Sequence, residues 1–512
     1  MRYLYLIIIS VLFAACNQSE DLEKEVVKVE PETLPEIKIT QKTLQWTTQD
    51  VITFYKEQQN NTLWNSKNKR GELLDALIVA KENGLNPESY PITKLFNYQL
   101  GYNQLNAKQR ADADVLYTQT FLNLAKHLAE GRINPKKFYG DWEAYQKKIN
   151  YQELLLSVIS DETIEDALKQ ITPKNDYYKG LKNAYATYRQ LMKKDTIRPI
   201  KSSEKTKIAY QLALLGDYTS DQEEISSEKL TEAVKQFQKR NNLTPTGKID
   251  ETTLKTLNIP IEDLTKKILV NLERARWISD DLGEKYVLVN IPEARLFLFD
   301  EGKIIDEHIV IVGKPERRTP VLSSQFSQFV INPTWTVPPT ILKNDLTPNA
   351  SRDSTYFSRN NMIIYNNKGE EVSPADWDAE QSKLYRYVQQ PGASNSLGQI
   401  KFDFPNNHMV YLHDTNSKGL FTRKNRALSS GCVRVQNPFD LADHILKLEN
   451  NSKTKDDLLE LVAKEKTKFL PLKKQVSVHQ MYWTAWQDQN GQMQFRPDVY
   501  DFDHGLYEKI SN

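Results

Sequence analysis

The chain has 512 residues, which is too long for a single hydrophobic core and predicts two to four domains. Lys and Arg number 68 against 67 Asp and Glu, so the net charge is +1 and no global field attracts nucleic acid or an acidic membrane surface. We therefore expect no nucleic-acid partner, and other partners have to be recognised by local sites.

The first predicted elements are an export signal and a tether. Residues 1–15 contain Arg2, an apolar run and a final Ala-Ala pair; the run is too short to span a bilayer as a helix but fits a signal peptide. Residues 13–16, FAAC, resemble a bacterial lipobox, in which cleavage leaves a diacylated cysteine. We expect Cys16 to carry a lipid anchor, and an ordinary signal peptide with an incidental cysteine is the alternative. Residues 16–42 are rich in Glu, Lys and Asp and predict a tether.

These N-terminal features predict where the protein works. The rest of the sequence contains no apolar stretch long enough to span a bilayer. We expect a lipid-anchored protein of the cell envelope that faces the periplasm, with the outer membrane as the expected membrane.

Two helical units are predicted next. Residues 43–194 show apolar positions at helical spacing, as in GELLDALIVAKENGL, and no catalytic cluster, so we interpret them as a helical scaffold. Residues 203–258 contain three short helical patterns, of which the second begins at Ser226 or Ser227 with acidic residues in its first turn. The ordered set LLGDY, AVKQFQKRNNL, TGKID and TLKTLN resembles the three-helix type of peptidoglycan-binding domain.

A predicted helix over residues 261–277 leads to a mostly β domain, which we assign to residues 284–485. KYVLVNIPEARLFLFDEGKIIDEHIVIVG alternates with a period of two and has a turn at residues 300–302, so it predicts consecutive strands. Residues 338–398 interrupt this domain with few regular signals, which is typical of a lid or a binding loop. Residues 486–512 are expected to pack on the domain as a C-terminal extension, and the predicted fold class is multidomain α+β.

The segment LSSGCVRV holds the strongest candidate for chemistry. If Cys16 is lipidated, Cys432 is the single thiol of the mature chain and cannot form an intramolecular disulfide. A free cysteine is most often a small buried hydrophobe, but it becomes a nucleophile when a nearby imidazole favours its thiolate. His413, 19 residues before Cys432 and at the end of the apolar run MVYL, is the best candidate for that imidazole. His408 is the rival, but its place after Pro-Asn-Asn favours a surface turn.

The neighbours of Cys432 suggest further roles. Gly431 lets the backbone turn sharply, so the N–H groups of Gly431 and Cys432 are candidate donors of an oxyanion hole for acyl transfer. Arg434 either shares a strand face with Cys432 and meets a substrate carboxylate, or pairs with an acidic neighbour; the spacing leaves both open.

The set formed by His413 and the SGCVR of residues 430–434 resembles the signature of the L,D-transpeptidases, the YkuD domain family. Most members have a histidine two residues before the cysteine, where this chain has Ser430. SSGCVRV is instead familiar from the long YcbB-like branch, which has a helical scaffold and a peptidoglycan-binding domain. NLERARW, VGKPERRTPV, INPTWTVPPTI and YWTAW also resemble that branch, and the resemblance extends from about residue 43 to residue 507.

The resemblance implies a cysteine-dependent acyltransferase of cell wall biogenesis. In such enzymes the thiolate, here Cys432, attacks the third residue of a peptidoglycan tetrapeptide stem, expels D-alanine and forms a thioester, which the amine of a neighbouring stem converts to a 3→3 cross-link. His413 would be the proton donor and acceptor. Residues 338–398 would be a substrate-capping loop. Tyr387 in this loop and Trp335 just before it either line the groove or belong to the core.

The same resemblance sets the expected partners and leaves alternatives. It implies peptidoglycan stem peptides as substrate, other wall synthases as partners, and neither a cofactor nor a metal. Water as the acceptor would make the protein an L,D-carboxypeptidase. A non-catalytic wall-binding lipoprotein is the other alternative, and the intact motif around Cys432 argues against it.

Overall fold

A computed structural model describes residues 34–143, 145, 147–195, 199–219 and 225–511. The predicted signal peptide, Cys16 and the first part of the predicted tether lie outside the described residues. Within these ranges no helix combines the length and the apolar character needed to cross a bilayer.

The N-terminal part is helical, as predicted. Its α-helices are α1 (Gln41–Leu44), α2 (Gln49–Glu57), α3 (Lys67–Val79), α4 (Ile92–Leu100), α5 (Ala107–Glu130), α6 (Pro135–Tyr139), α7 (Tyr151–Ser160), α8 (Ile164–Ile171) and α9 (Asp176–Leu191). Side-chain caps define several of their starts: Asn106 and Gln109 form a capping box at α5, and Thr163 caps α8. A separate core around Trp64, Tyr117 and Phe121 holds α1 to α5, α7 and α8 together.

Helix α9 departs from the predicted unit of residues 43–194. Its buried residues Tyr178, Leu181 and Ala184 belong to the core of the β domain and not to the scaffold core. The last helix of the predicted scaffold is therefore a structural part of the domain that carries Cys432.

The predicted three-helix bundle is present. It contains α10 (Lys205–Leu214), α11 (Ser227–Arg240) and α12 (Glu251–Leu257), and Ser226 caps α11 by accepting from the Lys229 N–H. Phe237 packs in the core of the bundle. The neighbouring Gln238 is fully buried, donates to the Lys248 carbonyl at 2.8 Å and accepts from the Gly247 N–H at 2.8 Å, so it holds the TGKID turn against α11.

Helix α13 (Ile261–Arg274) leads into the β domain and ends three residues before the predicted position. The strands are β1 (Lys285–Asn290), β2 (Arg295–Asp300), β3 (Lys303–Gly313), β4 (Leu322–Gln325), β5 (Gln328–Ile331), β6 (Trp335–Thr336), β7 (Met362–Tyr365), β8 (Glu371–Val372), β9 (Arg386–Gln389), β10 (Ile400–Asp403), β11 (Leu412–His413), β12 (Ala427–Ser429), β13 (Val433–Val435), β14 (Lys468–Pro471), β15 (Ser477–Met481), β16 (Ala485–Gln487) and β17 (Met493–Phe495). The later helices are α14 (Pro339–Ile341), α15 (Thr347–Ala350), α16 (Tyr356–Arg359), α17 (Pro438–Leu448), α18 (Lys455–Ala463) and α19 (Asp503–Ser511), and a π-helix spans Leu342–Leu346.

The main sheet has the order β14-β5-β10-β11-β13-β3-β2-β1-β15-β4, and β12 pairs with β3. The predicted consecutive strands β1, β2 and β3 are antiparallel neighbours, and Glu301 and Gly302 turn the chain with φ of 47° and 76°. The alternation that predicted them is real: Val287 and Val289 point into the core, while Tyr286 remains half-buried on the other face.

The insertion of residues 338–398 is more regular than expected. Strands β6, β9, β7 and β8 form a separate four-stranded sheet, and Leu346, Phe357 and Tyr387 lie in a small core of their own. Strands of two to four residues and helices of three to five residues are too short to show a periodicity in the sequence, which explains why the regular structure was missed.

The C-terminal extension contacts more than the β domain. Asp503 of α19 pairs with Arg274 of α13 at 2.6 Å, and the carbonyl of Ile510 accepts from Arg132 of the scaffold at 2.6 Å. The hairpin β16–β17 lies against α9 and α11, where Arg496 donates to the Arg240 carbonyl at 2.8 Å. The extension therefore joins the scaffold, the bundle and the β domain.

Candidate active site

Strand pairing places the candidate nucleophile and base on one face of the main sheet. Strands β11 and β13 are parallel, with Leu412 opposite Val433 and His413 opposite Arg434. Leu412 and Val433 are fully buried in the core behind the sheet. Because side chains alternate along a strand, His413 and Arg434 lie on the other face, together with Tyr411 and Cys432.

The register puts the two predicted reactive residues, Cys432 and His413, on the same face of neighbouring strands. Cys432 is half-buried beside the core, and His413 is 4% exposed. His408, the rival, lies in a turn five residues from His413, and its imidazole is 3.2 Å from the Glu143 carboxylate instead.

Burial keeps both reactive groups uncharged in the resting site. It raises the pKa of the Cys432 thiol to about 11, although the Tyr411 backbone N–H and hydroxyl and then the Arg434 charge act in the opposite direction. Burial also lowers the pKa of His413 to about 3; the Arg434 charge acts in the same direction, and the Asp414 backbone carbonyl opposes it. At neutral pH the resting pair is therefore a thiol and a neutral imidazole, and the neutral imidazole is the form that can accept a proton.

Tyr411 is a site residue that the sequence analysis missed. Its ring meets the His413 ring edge to face with 5.7 Å between centroids, and its hydroxyl lies close enough to the thiol to lower the pKa of Cys432. Burial raises the pKa of the Tyr411 phenol, and a hydrogen bond with the Trp335 side chain acts in the opposite direction. Tyr411 precedes His413 by two residues, so the period-two pattern of MVYLH was the signal that would have found it.

The turn before Cys432 has a specific backbone conformation. Gly431 has φ of +113°, which favours glycine, and a Cβ atom there would lie 3.2 Å from the Arg318 carbonyl oxygen. The Gly431 N–H donates to the Ser429 hydroxyl at 3.2 Å, and that hydroxyl donates to the Cys432 carbonyl at 2.6 Å. The sequence suggested the Gly431 N–H as a donor of an oxyanion hole. In this turn the amide donates to the Ser429 hydroxyl instead, so it is not free for that role. The Cys432 N–H stays the predicted donor.

Ser430 joins the nucleophile turn to the capping insertion. Its exposed hydroxyl accepts from Arg317 at 2.9 Å, and the same guanidinium nitrogen is 2.5 Å from the carboxylate of Asp345 in the π-helix. The other side of the turn is held by Thr319, whose hydroxyl donates to the Gly431 carbonyl at 2.8 Å. Tyr500 of the C-terminal extension accepts from the Thr319 N–H at 3.0 Å.

Arg434 has no acidic partner at this site. Its guanidinium is half-buried, its Nε lacks a hydrogen-bond partner, and no carboxylate of the described residues forms an ion pair with it. Of the two alternatives for Arg434, the acidic neighbour is therefore absent from the described part of the chain. A cation beside a thiol and without a counterion suits an anionic ligand group.

The two aromatic candidates of the insertion differ. Trp335 is half-buried and reaches Tyr411, so it lies beside the site. Tyr387 is 1% exposed, and its hydroxyl donates to the Ser382 carbonyl at 2.9 Å and accepts from the Trp377 indole at 2.7 Å. Tyr387 therefore belongs to the core of the insertion and does not line a groove, because both its ring and its hydroxyl are used internally. Among the described residues no group of three or more His, Cys, Asp or Glu side chains is arranged to hold a metal.

Comparison with family models defines the class of this domain. Residues 284–467 match the model of the L,D-transpeptidase catalytic domain, YkuD; residues 203–257 match the "Putative peptidoglycan binding domain", and residues 49–184 match the Scaffold domain. These three matched regions correspond to the helical N-terminal part, the three-helix bundle and the β domain described above. The chain carries the L,D-transpeptidase catalytic domain of the YkuD family, joined to a scaffold domain and a peptidoglycan-binding domain.

Known proteins agree with these matches in part. A curated protein of Haemophilus influenzae named "Putative L,D-transpeptidase" is 39% identical over 246 residues, which are 48% of this chain and 49% of that protein. The chain thus spans about half the length of this relative. An L,D-transpeptidase structure from Stackebrandtia nassauensis (16% identity, TM-score 0.21, 56% of this chain and 95% of the other) and a cysteine-to-serine mutant of an Enterococcus faecium L,D-transpeptidase (11%, 0.17, 55% and 100%) are also similar. At these TM-scores the two structures carry no weight for the fold or the site.

Proposed function

We propose that this protein forms 3→3 cross-links between peptidoglycan stem peptides through a thioester on Cys432. The observation that carries the proposal is the pairing of β11 with β13, which puts Cys432 and His413 on one face of adjacent strands within the matched catalytic domain. The uncompensated cation Arg434 on the same face supports a substrate with a carboxylate.

The neutral resting pair sets the order of proton transfers. The Cys432 thiol gives its proton to His413 as the sulfur attacks the carbonyl carbon of the third stem residue. The intermediate collapses with cleavage of the bond to D-alanine, whose amine takes the proton from His413. The amine of a second stem then attacks the thioester and gives its proton to His413. Cleavage of the carbon–sulfur bond releases the sulfur, which takes this proton back from His413 and becomes the thiol again.

Charged groups on the same face stabilise the thiolate formed in the first step and make the imidazolium harder to form. Burial raises the pKa of the thiol, so forming the thiolate costs free energy, and nearby cations reduce that cost. Arg434 and then Lys401 lower that pKa, and both also lower the pKa of His413. The Cys432 N–H is the proposed donor to the oxyanion.

The test is mass spectrometry of the protein and of its products. Wild-type protein incubated with tetrapeptide-rich peptidoglycan is expected to release D-alanine, gain the mass of an acyl group and build 3→3 dimers. Cys432→Ala is expected to do none of these. His413→Ala is expected to acylate about 10² to 10⁴ times more slowly, and His408→Ala is the matched control that stays near wild type. Dimers made by folded Cys432→Ala would overturn the proposal, and tripeptides without dimers would indicate water as the acceptor.

We further propose that Cys16 anchors the protein to the outer membrane, where it faces the periplasm and other wall synthases. The support is the lipobox-like FAAC after a short apolar run. Labelling cells with an alkyne fatty acid should tag the wild type and not Cys16→Ser. Equal labelling of both, or labelling of neither, would remove the anchor.

A further inference from the structure

A second candidate site lies away from Cys432, in a cleft of about 950 Å³. Its walls come from four parts of the chain: α9, α11 of the bundle, the outer face of β1 and β2, and the hairpin β16–β17. Neither Cys432 nor His413 lines it. The volume is at the upper end of the roughly 300 to 1,000 Å³ found for ligand sites.

The floor of this cleft is aromatic. Tyr286 on β1 lies opposite Phe299 on β2, and their rings stack with 4.5 Å between centroids and 12° between planes. Phe297, the next residue on the same face of β2, is half-buried. Trp486 of the hairpin lies over this floor and is also half-buried. Phe297 and Trp486 leave part of their apolar surface accessible, although Arg496 covers one face of Trp486. Such surface suits a ligand with apolar faces of its own.

The rim of the cleft is rich in amides and its charges are largely paired. Asn183 of α9, Gln236 of α11 and Gln487 of the hairpin are among the amide side chains that line it. Arg295 is paired with Glu307, and Arg496 with Glu293. Paired charges leave a nearly neutral surface, while amides offer both donors and acceptors. In the described structure the indole N–H of Trp483, which also lines the cleft, has no hydrogen-bond partner.

Aromatic faces with surrounding amides match the chemistry of an N-acetylated sugar. A pyranose ring has a face of C–H groups that packs on an aromatic ring, while its hydroxyl and acetamido groups exchange hydrogen bonds with amides. A peptide or nucleic acid fits less well, because an aromatic, nearly neutral floor offers neither a free strand edge nor a field of cations.

The strand register connects this cleft to the candidate active site. Arg434 lies opposite Ile311 of β3, Ile309 of β3 lies opposite Arg295, and Arg295 lies opposite Asn290. Paired residues share a face and side chains alternate, so the cleft floor is on the same face of the main sheet as Cys432, with β3 between β13 and β2.

We infer that the cleft binds the sugar chain of the substrate, an oligomer of N-acetylated amino sugars, and so places its peptide stems near Cys432. The biological substrate rests on the proposed function. Binding of the sugar chain itself can be tested independently of the proposed function, because a sugar oligomer without peptide cannot acylate Cys432.

The probe is the hexamer of N-acetylglucosamine, titrated into the full-length Cys432→Ala protein by calorimetry and by tryptophan fluorescence. We expect saturable binding with a change in the fluorescence of Trp486. Phe297→Ala, and separately the exposed Gln236→Ala, are each expected to weaken binding about fivefold or more. The matched controls are Phe469→Ala and Trp46→Ala, whose side chains are 57% and 49% exposed outside the cleft.

The outcomes separate this inference from the proposed function. Absence of hexamer binding, or equal affinity in both cleft variants and both controls, would overturn the sugar site and leave thioester chemistry at Cys432 untouched. Hexamer binding that is lost in the cleft variants supports it, even if the protein builds no 3→3 dimers. Circular dichroism melts show whether Phe297→Ala has lost its fold. If it has, the affinity of Gln236→Ala, which changes an exposed residue of α11, decides whether the cleft binds the hexamer.

Discussion

The resting Cys432 thiol and His413 imidazole at the candidate site are both neutral. Many cysteine nucleophiles rest instead as a thiolate paired with an imidazolium. Burial dominates both shifts, so the charge separation needed for attack forms only when a substrate is present. This arrangement protects Cys432 from oxidation and alkylation, because the thiolate is the reactive form in both reactions.

The pH dependence of alkylation tests the neutral state of Cys432. With a pKa of about 11, the thiolate fraction at pH 7 to 9 is small, and the rate of reaction with iodoacetamide should rise about tenfold per pH unit through this range. In denaturant the rate should level off near the ordinary thiol pKa, about two units lower. The measurement uses Cys16→Ser protein, and a plateau below pH 8 in the native state would contradict the neutral pair.

Arg434 should make the thiolate easier to form. Arg434→Gln removes a cation that lowers the pKa of Cys432, so at pH 8 alkylation and acylation should slow by about tenfold. The pKa of His413 should rise in the same variant, because the guanidinium repels the imidazolium. Arg423→Gln, on the exposed loop between His413 and Cys432, is the control, and equal rates in both variants would argue against the role of Arg434.

At the scale of elements, the capping insertion is a small folded unit joined to the nucleophile turn through Arg317. Asp345 of the insertion and Ser430 of the turn both contact this guanidinium. The pair is part-buried, with the Asp345 side chain 45% exposed, and an ion pair that solvent reaches contributes only about 0 to 1 kcal/mol to stability. We therefore expect this contact to act mainly by positioning the insertion.

Asp345→Ala should therefore change substrate binding more than stability. We expect the free energy of unfolding to fall by less than about 1 kcal/mol, while KM for a tetrapeptide donor rises several-fold. Hydrogen exchange should increase in the π-helix. Asp353→Ala is the matched control, because Asp353 pairs with Arg359 inside the insertion. A similar KM for both variants would show that the contact to Arg317 does not position the insertion.

The candidate residues of the site could be selected from the sequence, but the contacts that support them could not. Cys432 and His413 stood out because a strand-like run ends at His413 and a glycine turn precedes Cys432. Tyr411 was visible as the residue two positions before His413. Arg317 and Asp345 gave no local signal, since Arg317 reaches Ser430 across 113 residues of sequence. The position of α9 in the catalytic core was equally hidden, because an amphipathic pattern does not identify the partner of its apolar face.

At the scale of the whole molecule, the C-terminal extension completes the catalytic domain. The Tyr500 hydroxyl accepts from the Thr319 N–H and donates to the Gly313 carbonyl at 2.8 Å. Thr319 holds the Gly431 carbonyl, so one chain of hydrogen bonds runs from the extension to the residue before the nucleophile.

Tyr500→Phe should weaken this chain. The Thr319 N–H loses its acceptor while buried, and we expect the free energy of unfolding to fall by about 1 to 3 kcal/mol. Acylation of Cys432 should slow in the protein that remains folded. Tyr507→Phe on α19 is the matched control, and chemical denaturation and acyl-enzyme mass provide the readouts. Unchanged acylation in Tyr500→Phe would mean that the turn holds its shape without the extension.

The dependence of the nucleophile turn on Tyr500 also has a consequence for biosynthesis. A chain is synthesised from its N-terminus, so residues 431 and 432 leave the ribosome well before residue 500 does. Until Tyr500 is in place, the Thr319 N–H lacks the hydroxyl that accepts its hydrogen bond. Thr319 is also the residue whose hydroxyl holds the Gly431 carbonyl. An unfinished chain thus has its thiol in an incomplete site, and the turn around Cys432 gains its last support only when almost the entire protein has been synthesised.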